Sequence, residues 1–466
     1  MAGQNLLDKI WAQHEIREIE DGVFLIHVDR HMVHECTSGA AFATLKASQR
    51  KTRNPELTYA VVDHILSTAP GRDGDTFPGG REFVHLLREN AKAHGIELID
   101  VDDPRQGIEH VIAPELGIAL PGSTLVCGDS HTSTCGGIGC WSWGIGTSEV
   151  AHVLATQTII QRRPQGMRVN FEGRLGPGVY AKDMILYLIG QVGVAAGRGH
   201  VVEYAGSAIR SLPIEGRLTI CNMSIEFGAR AGIIAPDDAT FDYLKGKPYS
   251  PAGGQWDEAL AYWKTLASDK DAVFDREVHI DCGKIGPQVS WGTTPQDVGG
   301  IGDPVPVPAS FGDADRRRAV QRALDYIGIE GGKTLEGLKI DVAFIGSCTN
   351  GRLSDLEAAA NVVRGRKVAP HVRALVVPGS AQVKHAAEAM GLDQVFLQAG
   401  FEWREAGCSM CVAINDDFVG PGMRCISSSN RNFEGRQGPK SRTHLASPAT
   451  VAASAIRGAI ADVTKL

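Results

Sequence analysis

Along most of this chain short β-branched runs alternate with longer segments that carry apolar residues at helical spacing, the pattern of successive α/β units. Thr58–Val62, Ser123–Cys127, Arg217–Cys221, Asp341–Ile345 and Arg373–Val377 read as strands, and Gly80–Ala93, Ser354–Arg364 and Gln382–Met390 as helices. An α/β protein is expected, and 466 residues suffice for about three domains. Pro287, Pro295, Pro304, Pro306 and Pro308 crowd 283–308 together with six glycines, which reads as an irregular linker ahead of a C-terminal domain. A softer break lies near Arg163–Gly166, where a new strand begins. The expected domains are 1–165, 166–284 and 285–466.

Composition removes several classes. With 43% hydrophobic and 22% charged residues the chain can bury sizeable cores, so disorder is excluded. A net charge of -7, with both signs interspersed, argues against a nucleic-acid partner. The N-terminus reaches Asp8 before any apolar core develops, unlike a signal peptide. The longest apolar stretch, Met184–Ala196, is broken by Gln191 and two glycines and is too short for a membrane span. A cytoplasmic enzyme without membrane partners is expected, whose ten cysteines are packed, metal-bound or catalytic rather than cross-linked. The 55 glycines follow no collagen period and imply tight turns and close backbone approaches.

One glycine-rich phrase misleads. Gly328 to Thr334 ends in Gly-Lys-Thr, but the Walker spacing puts Ile327 where its first glycine belongs, and the phrase precedes a strand instead of following one.

Cysteine spacing says more. Cys348 lies in Phe-Ile-Gly-Ser-Cys-Thr-Asn-Gly, directly after an expected buried strand, and Cys408 and Cys411 form a C-x-x-C further on. A thiolate on a Gly/Ser/Thr turn at a strand end faces a cleft, where backbone N–H groups stabilise negative sulfur. Three such thiolates suit zinc or an iron–sulfur cluster. Buried apolar cysteines and a redox dithiol are the other readings of the spacing alone.

Polar residues gather at other strand ends and turns: His34-Glu35, Asp63-His64, His110, Asp129-Ser130-His131 and Glu226. A carboxylate beside an imidazole fixes its tautomer and tunes its proton affinity, as proton handling requires, although such pairs also close ordinary turns. Asn430-Arg431-Asn432-Phe-Glu-Gly-Arg436 sets two arginine forks five residues apart in a glycine-containing loop, able to grip a diacid or simply to lie solvated.

Ser-Cys-Thr-Asn-Gly followed by Gly-Cys-Ser-Met-Cys resembles the cluster motifs of the aconitase superfamily. The polar segments match that family in order, from about Asp29 to Ser447. The resemblance implies three aconitase-like α/β domains around a central iron–sulfur cleft. It also implies a [4Fe–4S] cluster held by Cys348, Cys408 and Cys411, one iron lacking a protein ligand. The other seven cysteines would be packing residues. Asp63, His64, His110, Asp129 and His131 would deliver a proton to a departing hydroxyl, which Glu226 would also meet. His34, Ser130, Asn430, Arg431 and Arg436 would bind a small dicarboxylate substrate.

Full-length members of the family continue into a fourth domain that carries the catalytic base, whereas Thr450–Val463 reads here as an Ala-rich closing helix. The resemblance therefore implies a large subunit whose small-subunit partner supplies that domain. Asn-Met-Ser-Ile-Glu-Phe-Gly-Ala-Arg-Ala-Gly (222–232) and Pro-Gln-Val-Ser-Trp-Gly-Thr (287–293) resemble the branch that isomerises 2-isopropylmalate to 3-isopropylmalate through 2-isopropylmaleate in leucine biosynthesis. Gly39-Ala40-Ala41-Phe42 departs from that branch's usual Pro-Gln-Ala-Phe, so citraconate and 2-methylmalate, dimethylmaleate or homoaconitate are alternative diacids. A zinc-stabilised binding protein is the alternative of another class, distinguished by a colourless preparation.

Overall fold

The computed structural model describes residues 3–466. They form two compact units, one of residues up to Leu66, Asp73–Gly173 and Ala195–Ile280, the other of Ser67–Arg72, Arg174–Val194 and Asp281–Leu466. Several parallel sheets make this an α/β protein. Among the described residues no helix is long and apolar enough to cross a membrane.

In the first unit five parallel strands lie in the spatial order Glu97–Ile99, Thr58–Val61, Arg30–His34, Thr124–Cys127, Trp141–Gly144. Thr58–Val61 and Thr124–Cys127 are buried at every position, as a sheet covered on both faces demands. The earliest strand is central and the strand order reverses beside it, between Arg30–His34 and Thr124–Cys127. A parallel sheet opens a crevice at such a switch point, beyond the carboxyl ends of its strands. Trp141 and Trp143 stack with centroids 4.4 Å apart in the core of this unit. A second sheet pairs Ala231–Ile233, His200–Ala205 and Gln165–Glu172 in parallel, with Arg276–Asp281 at its edge.

The second unit repeats the switch-point order with Glu402–Trp403, Arg373–Val376, Val342–Ile345, Arg424–Ser427 and Arg442–Leu445, again all parallel. Its crevice lies beyond the ends of Val342–Ile345 and Arg424–Ser427.

Several expectations need correction. Arg217–Cys221 is not a strand but part of the helix Ile214–Asn222. That helix is buried from Arg217 to Asn222, so no polar face marks its period, and Arg217 is held by Asp237 at 2.7 and 2.8 Å. The stretch 283–308 is not wholly irregular, because Gln288–Ser290 pairs antiparallel with Val298–Gly300 between the prolines. The last helix is Pro448–Arg457, ended by Gly458 at φ +69°, shorter than expected. Cys36 is half-buried instead of packed in the core. The false phosphate loop also has a plain role: Gly328, at φ +71°, terminates the helix Ala314–Ile327, and Lys333 pairs with Glu330 at 2.7 Å.

Candidate functional site

In the first unit the polar residues singled out from sequence collect at the carboxyl ends of the five-stranded sheet. His34 closes the central strand and caps the helix Glu35–Ala47. Its Nδ1 accepts the Cys36 N–H at 3.3 Å, which leaves Nε2 to donate to Thr37 Oγ1 at 3.0 Å. The ring stacks on His64 with centroids 4.2 Å apart. Burial and the neighbouring His64 push the His34 pKa down to about 4, so it is neutral at pH 7. Gly128 is required beside it, since a Cβ there would stand 2.3 Å from Thr37 Oγ1.

His64 stands between two carboxylates. Its Nδ1 meets Asp63 Oδ1, and its Nε2 lies 3.2 Å from Asp129 Oδ2. The other Asp129 oxygen takes His110 Nε2 at 2.8 Å and the His131 backbone N–H at 2.6 Å, and His131 Nε2 reaches Glu226 Oε1 at 3.0 Å. Asp63, His64, Asp129, His110, His131 and Glu226 thus form one connected network. Ser130, half-buried, opens the 3₁₀ helix that follows Asp129.

Burial opposes ionisation of Asp63, but the charge and hydrogen bond of His64 outweigh it and hold the carboxyl below its ordinary range. Asp129 is likewise held well below, burial being outweighed by hydrogen bonds from His110, His131 and His64. The Asp63 side chain is sealed at 0% exposure, whereas that of Asp129 is 19% exposed. The network therefore opens at Asp129.

Two buried carboxyls join this network that the motifs singled out at most as neighbours. Glu35 accepts the backbone N–H groups of Asp63, His64 and Ile65. Glu109 donates its own N–H to Asp63 Oδ2 at 3.0 Å, and its Oε2 accepts the Cys127 thiol at 2.8 Å. Burial and the Asp63 charge push the Glu109 carboxyl well above its ordinary range. The available signal is adjacency, each lying next to a histidine already singled out.

In the second unit Cys348 follows the strand Val342–Ile345, and Cys408 precedes the 3₁₀ turn Ser409–Cys411. Ser347 (φ +82°) and Ser409 (φ +49°), each beside one of these cysteines, hold left-handed backbone conformations that cost a non-glycine residue energy. Asn430, beyond the end of the adjacent strand Arg424–Ser427, donates Nδ2 to Cys348 Sγ at 3.4 Å and to Cys411 Sγ at 3.6 Å. The Cys411 N–H bonds the Cys408 carbonyl at 3.0 Å, which brings the third thiol into the same turn. Cys348, Cys408 and Cys411 each keep 3% exposure, whereas Cys135, Cys140, Cys221, Cys282 and Cys425 are sealed at 0%. Three soft sulfur donors on strained turns, with an amide donating to sulfur, fit an iron–sulfur cluster.

The supporting contacts are specific. Asp417 accepts Ser409 Oγ at 2.8 Å and Arg404 Nη2 at 2.7 Å, and also the Thr68 hydroxyl. Gln437 donates to the Met410 carbonyl at 3.1 Å, tying the thiol turn to the arginine loop. The same loop is anchored by Asn432, whose Nδ2 donates to Ser290 Oγ at 3.1 Å and to the Gly292 carbonyl at 2.8 Å. Buried Lys182 bonds the carbonyls of Ser428 and Ser429 just before Asn430. Arg431 and Arg436 are half-buried; Arg436 lies over Phe433 at 5.4 Å, and its Nε is buried without a partner among the described residues. An arginine in that state has hydrogen-bonding capacity left for an anion.

The model of the aconitase family (aconitate hydratase) matches residues 8–458. The 3-isopropylmalate dehydratase large subunit 1 of Bradyrhizobium diazoefficiens is 59% identical over 461 residues, which is 99% of this chain and 96% of that protein. Among solved structures, the holo-form of aconitase X from Thermococcus kodakaraensis overlaps with a TM-score of 0.45 at 12% identity, covering 91% of this chain and 89% of that one. The chain belongs to the aconitase family.

Proposed function

We propose that this chain is the large, catalytic subunit of a 3-isopropylmalate dehydratase. It converts 2-isopropylmalate to 3-isopropylmalate through 2-isopropylmaleate, a hydro-lyase reaction of leucine biosynthesis. The observation that carries the proposal is 59% identity to the large subunit of such an enzyme across 99% of the chain. We read the chain as three aconitase-like segments, 1–165, 166–284 and 285–466. The family's fourth domain, with the base that removes the carbon-bound proton, would come from a small-subunit partner.

Cys348, Cys408 and Cys411 would hold a [4Fe–4S] cluster, with Asn430 donating to two of the sulfurs. When bound, such a cluster with one iron free of protein ligands supplies a Lewis acid for a substrate hydroxyl and carboxylate. Arg431 and Arg436 bind substrate carboxylate, and half-burial strengthens each charge-assisted bond. His34 and Ser130 orient the substrate at the sheet end.

Dehydration removes a hydroxyl and a neighbouring proton, and the hydroxyl leaves as water only if it gains a proton. His64, with a carboxylate at each ring nitrogen, is placed to hold the proton that the departing hydroxyl takes up, and Asp129, the open member of the network, stays ionised and orients the ring from its Nε2 side. His110 and His131 hold Asp129 in place, and Glu226 fixes the His131 ring. Rehydration runs the same groups in reverse, with the hydroxyl added to the adjacent carbon.

The alternative diacid rests on the departure at 39–42, which lies in the helix Glu35–Ala47 that His34 caps. The test is anaerobic reconstitution of the chain with its small subunit and assay against 2-isopropylmalate and citraconate. Turnover of 2-isopropylmalate by the pair, and none by this chain alone, is expected. Preference for citraconate would move the assignment to the related diacid, and activity of the lone chain would overturn the split site.

A further inference from the structure

Glu35 lies one residue past the central strand Arg30–His34, and its neighbours across the sheet belong to the strand Thr58–Val61, where His34 is in register with Val61. The chain leaving that second strand runs straight into Asp63, His64 and Ile65. All three of their backbone N–H groups point at one buried carboxylate: Glu35 Oε1 accepts from His64 and from Ile65 at 2.6 Å each, and Oε2 accepts from Asp63 at 3.2 Å. Three consecutive amides converging on one side chain form an anion-binding nest closed by the protein itself.

An acid in the first turn of a helix is ordinarily explained by the helix dipole. That account does not cover Glu35, because the helix Glu35–Ala47 is capped by the His34 side chain, while the Glu35 oxygens serve a different segment. The segment served carries the Asp63–His64 pair. His64 has a carboxylate at each ring nitrogen, and the outer one, to Asp129, is already long at 3.2 Å. Its ring position depends on backbone placement to within a few tenths of an ångström.

We infer that Glu35 is the positioning residue for the Asp63–His64 pair, holding it through three backbone amides. Its carboxylate is sealed and meets Asp63, His64 and Ile65 through their N–H groups, so it acts on the reaction through His64. The inference concerns the reaction assigned above and rests on that reading for its kinetic consequence alone. The required group is acceptor-only at both oxygens. A glutamine would turn an NH2 donor toward one of the three N–H groups, and aspartate keeps the charge but falls short by one methylene.

The test compares Glu35→Gln and Glu35→Asp with the native chain, each reconstituted with its small subunit and with kcat normalised to bound iron. Glu35→Gln should lose roughly a hundredfold in kcat, the scale set by an ångström of misplacement, with KM within about twofold. Glu35→Asp should fall between it and the native enzyme. If Glu35→Gln fails to fold, Glu35→Asp carries the kinetic test. An activity loss that merely tracks lost folded protein, with kcat per cluster unchanged in both variants, would overturn the inference. A second readout needs no substrate: the downfield imidazole N–H resonance of His64, identified by its absence in His64→Asn. It should move or broaden in the Glu35 variants, and an unshifted resonance in both would also overturn the inference. If the native complex fails to turn over 2-isopropylmalate while this resonance still responds to Glu35, the substrate assignment fails and the positioning role stands.

Discussion

The side-chain amide of Asn430 donates to the Cys348 sulfur at 3.4 Å, and the same nitrogen reaches Cys411 at 3.6 Å. One neutral donor therefore serves thiols from two loops at the switch point of the second unit. Such donors stabilise negative sulfur, and removing a partner of this kind costs about 10–100-fold in metal affinity. Asn430→Ala should retain less iron and acid-labile sulfide after anaerobic reconstitution. Asn430→Asp should retain less still, because it presents an anion to the sulfurs. Equal iron content in all three proteins would remove Asn430 from the cluster's surroundings.

The contacts that gather Cys348, Cys408 and Cys411 around Asn430 and one turn predict which cysteines matter. Cys348→Ser, Cys408→Ser and Cys411→Ser should each abolish the broad visible absorption of a cluster. Cys425→Ser should keep it, since Cys425 is sealed in a buried strand and its thiol bonds the Ile426 carbonyl at 3.5 Å. Iron analysis beside the spectrum also excludes zinc. A normal cluster in Cys408→Ser would break the ligand assignment.

Much of this site is legible because its residues stand at strand ends that the alternating pattern marks. Cys348 follows Val342–Ile345, and Asp63 follows Thr58–Val61, both short β-branched runs bounded by a sharp change of character. The repeated switch-point order is not legible, since it depends on which strands pair, and two sheets of unlike sequence reach it independently. The helix Ile214–Asn222 misreads as a strand because burial all round erases its period. The pairing of Gln288–Ser290 with Val298–Gly300 hides in a composition of proline and glycine, although Ser290 Oγ receives Asn432 from the arginine loop at 3.1 Å. The role of Glu35 escapes for another reason: its partners are backbone amides, which carry no residue signature.

Asp129 is the hub that three histidines share, so its removal tests the network as a whole. Asp129→Asn keeps the shape but replaces one acceptor oxygen with a donor facing His64 or His110. General acid–base catalysis contributes about 10²–10⁴-fold, and kcat should fall within that range while the cluster spectrum is unchanged. Steady-state kinetics on the reconstituted complex decides it, and a loss confined to KM would contradict a proton-handling role.

Arg436 makes the complementary prediction. Its Nε is buried without a partner among the described residues and its guanidinium lies over Phe433 at 5.4 Å, so the planar fork is pre-oriented. Lysine keeps the charge but offers neither the fork nor the stacking. Arg436→Lys should raise KM at least about tenfold, the loss of one charge-assisted bond, and leave iron content untouched. A KM equal to that of the native enzyme would take Arg436 out of substrate binding.

His31 tests the first unit's core against pH. It sits in the central strand at 0% exposure, and among the described residues neither ring nitrogen has a partner; its register neighbour Thr58 also buries an unpaired hydroxyl. Burial pushes the His31 pKa from its ordinary 6.5 down to about 3. Between those values the unfolded chain binds a proton that the folded chain refuses, so stability drains away as pH falls. For one histidine the loss is about 2 kcal/mol between pH 7.5 and pH 5. Methionine fills a similar volume without polar atoms, and at pH 7.5 His31→Met should be as stable as the native chain or about 1 kcal/mol more so. At pH 5 its advantage should grow by the proton-linked amount. Urea unfolding midpoints of both proteins at the two pH values read this directly, and midpoints that shift in parallel would show that His31 is not the buried neutral group responsible.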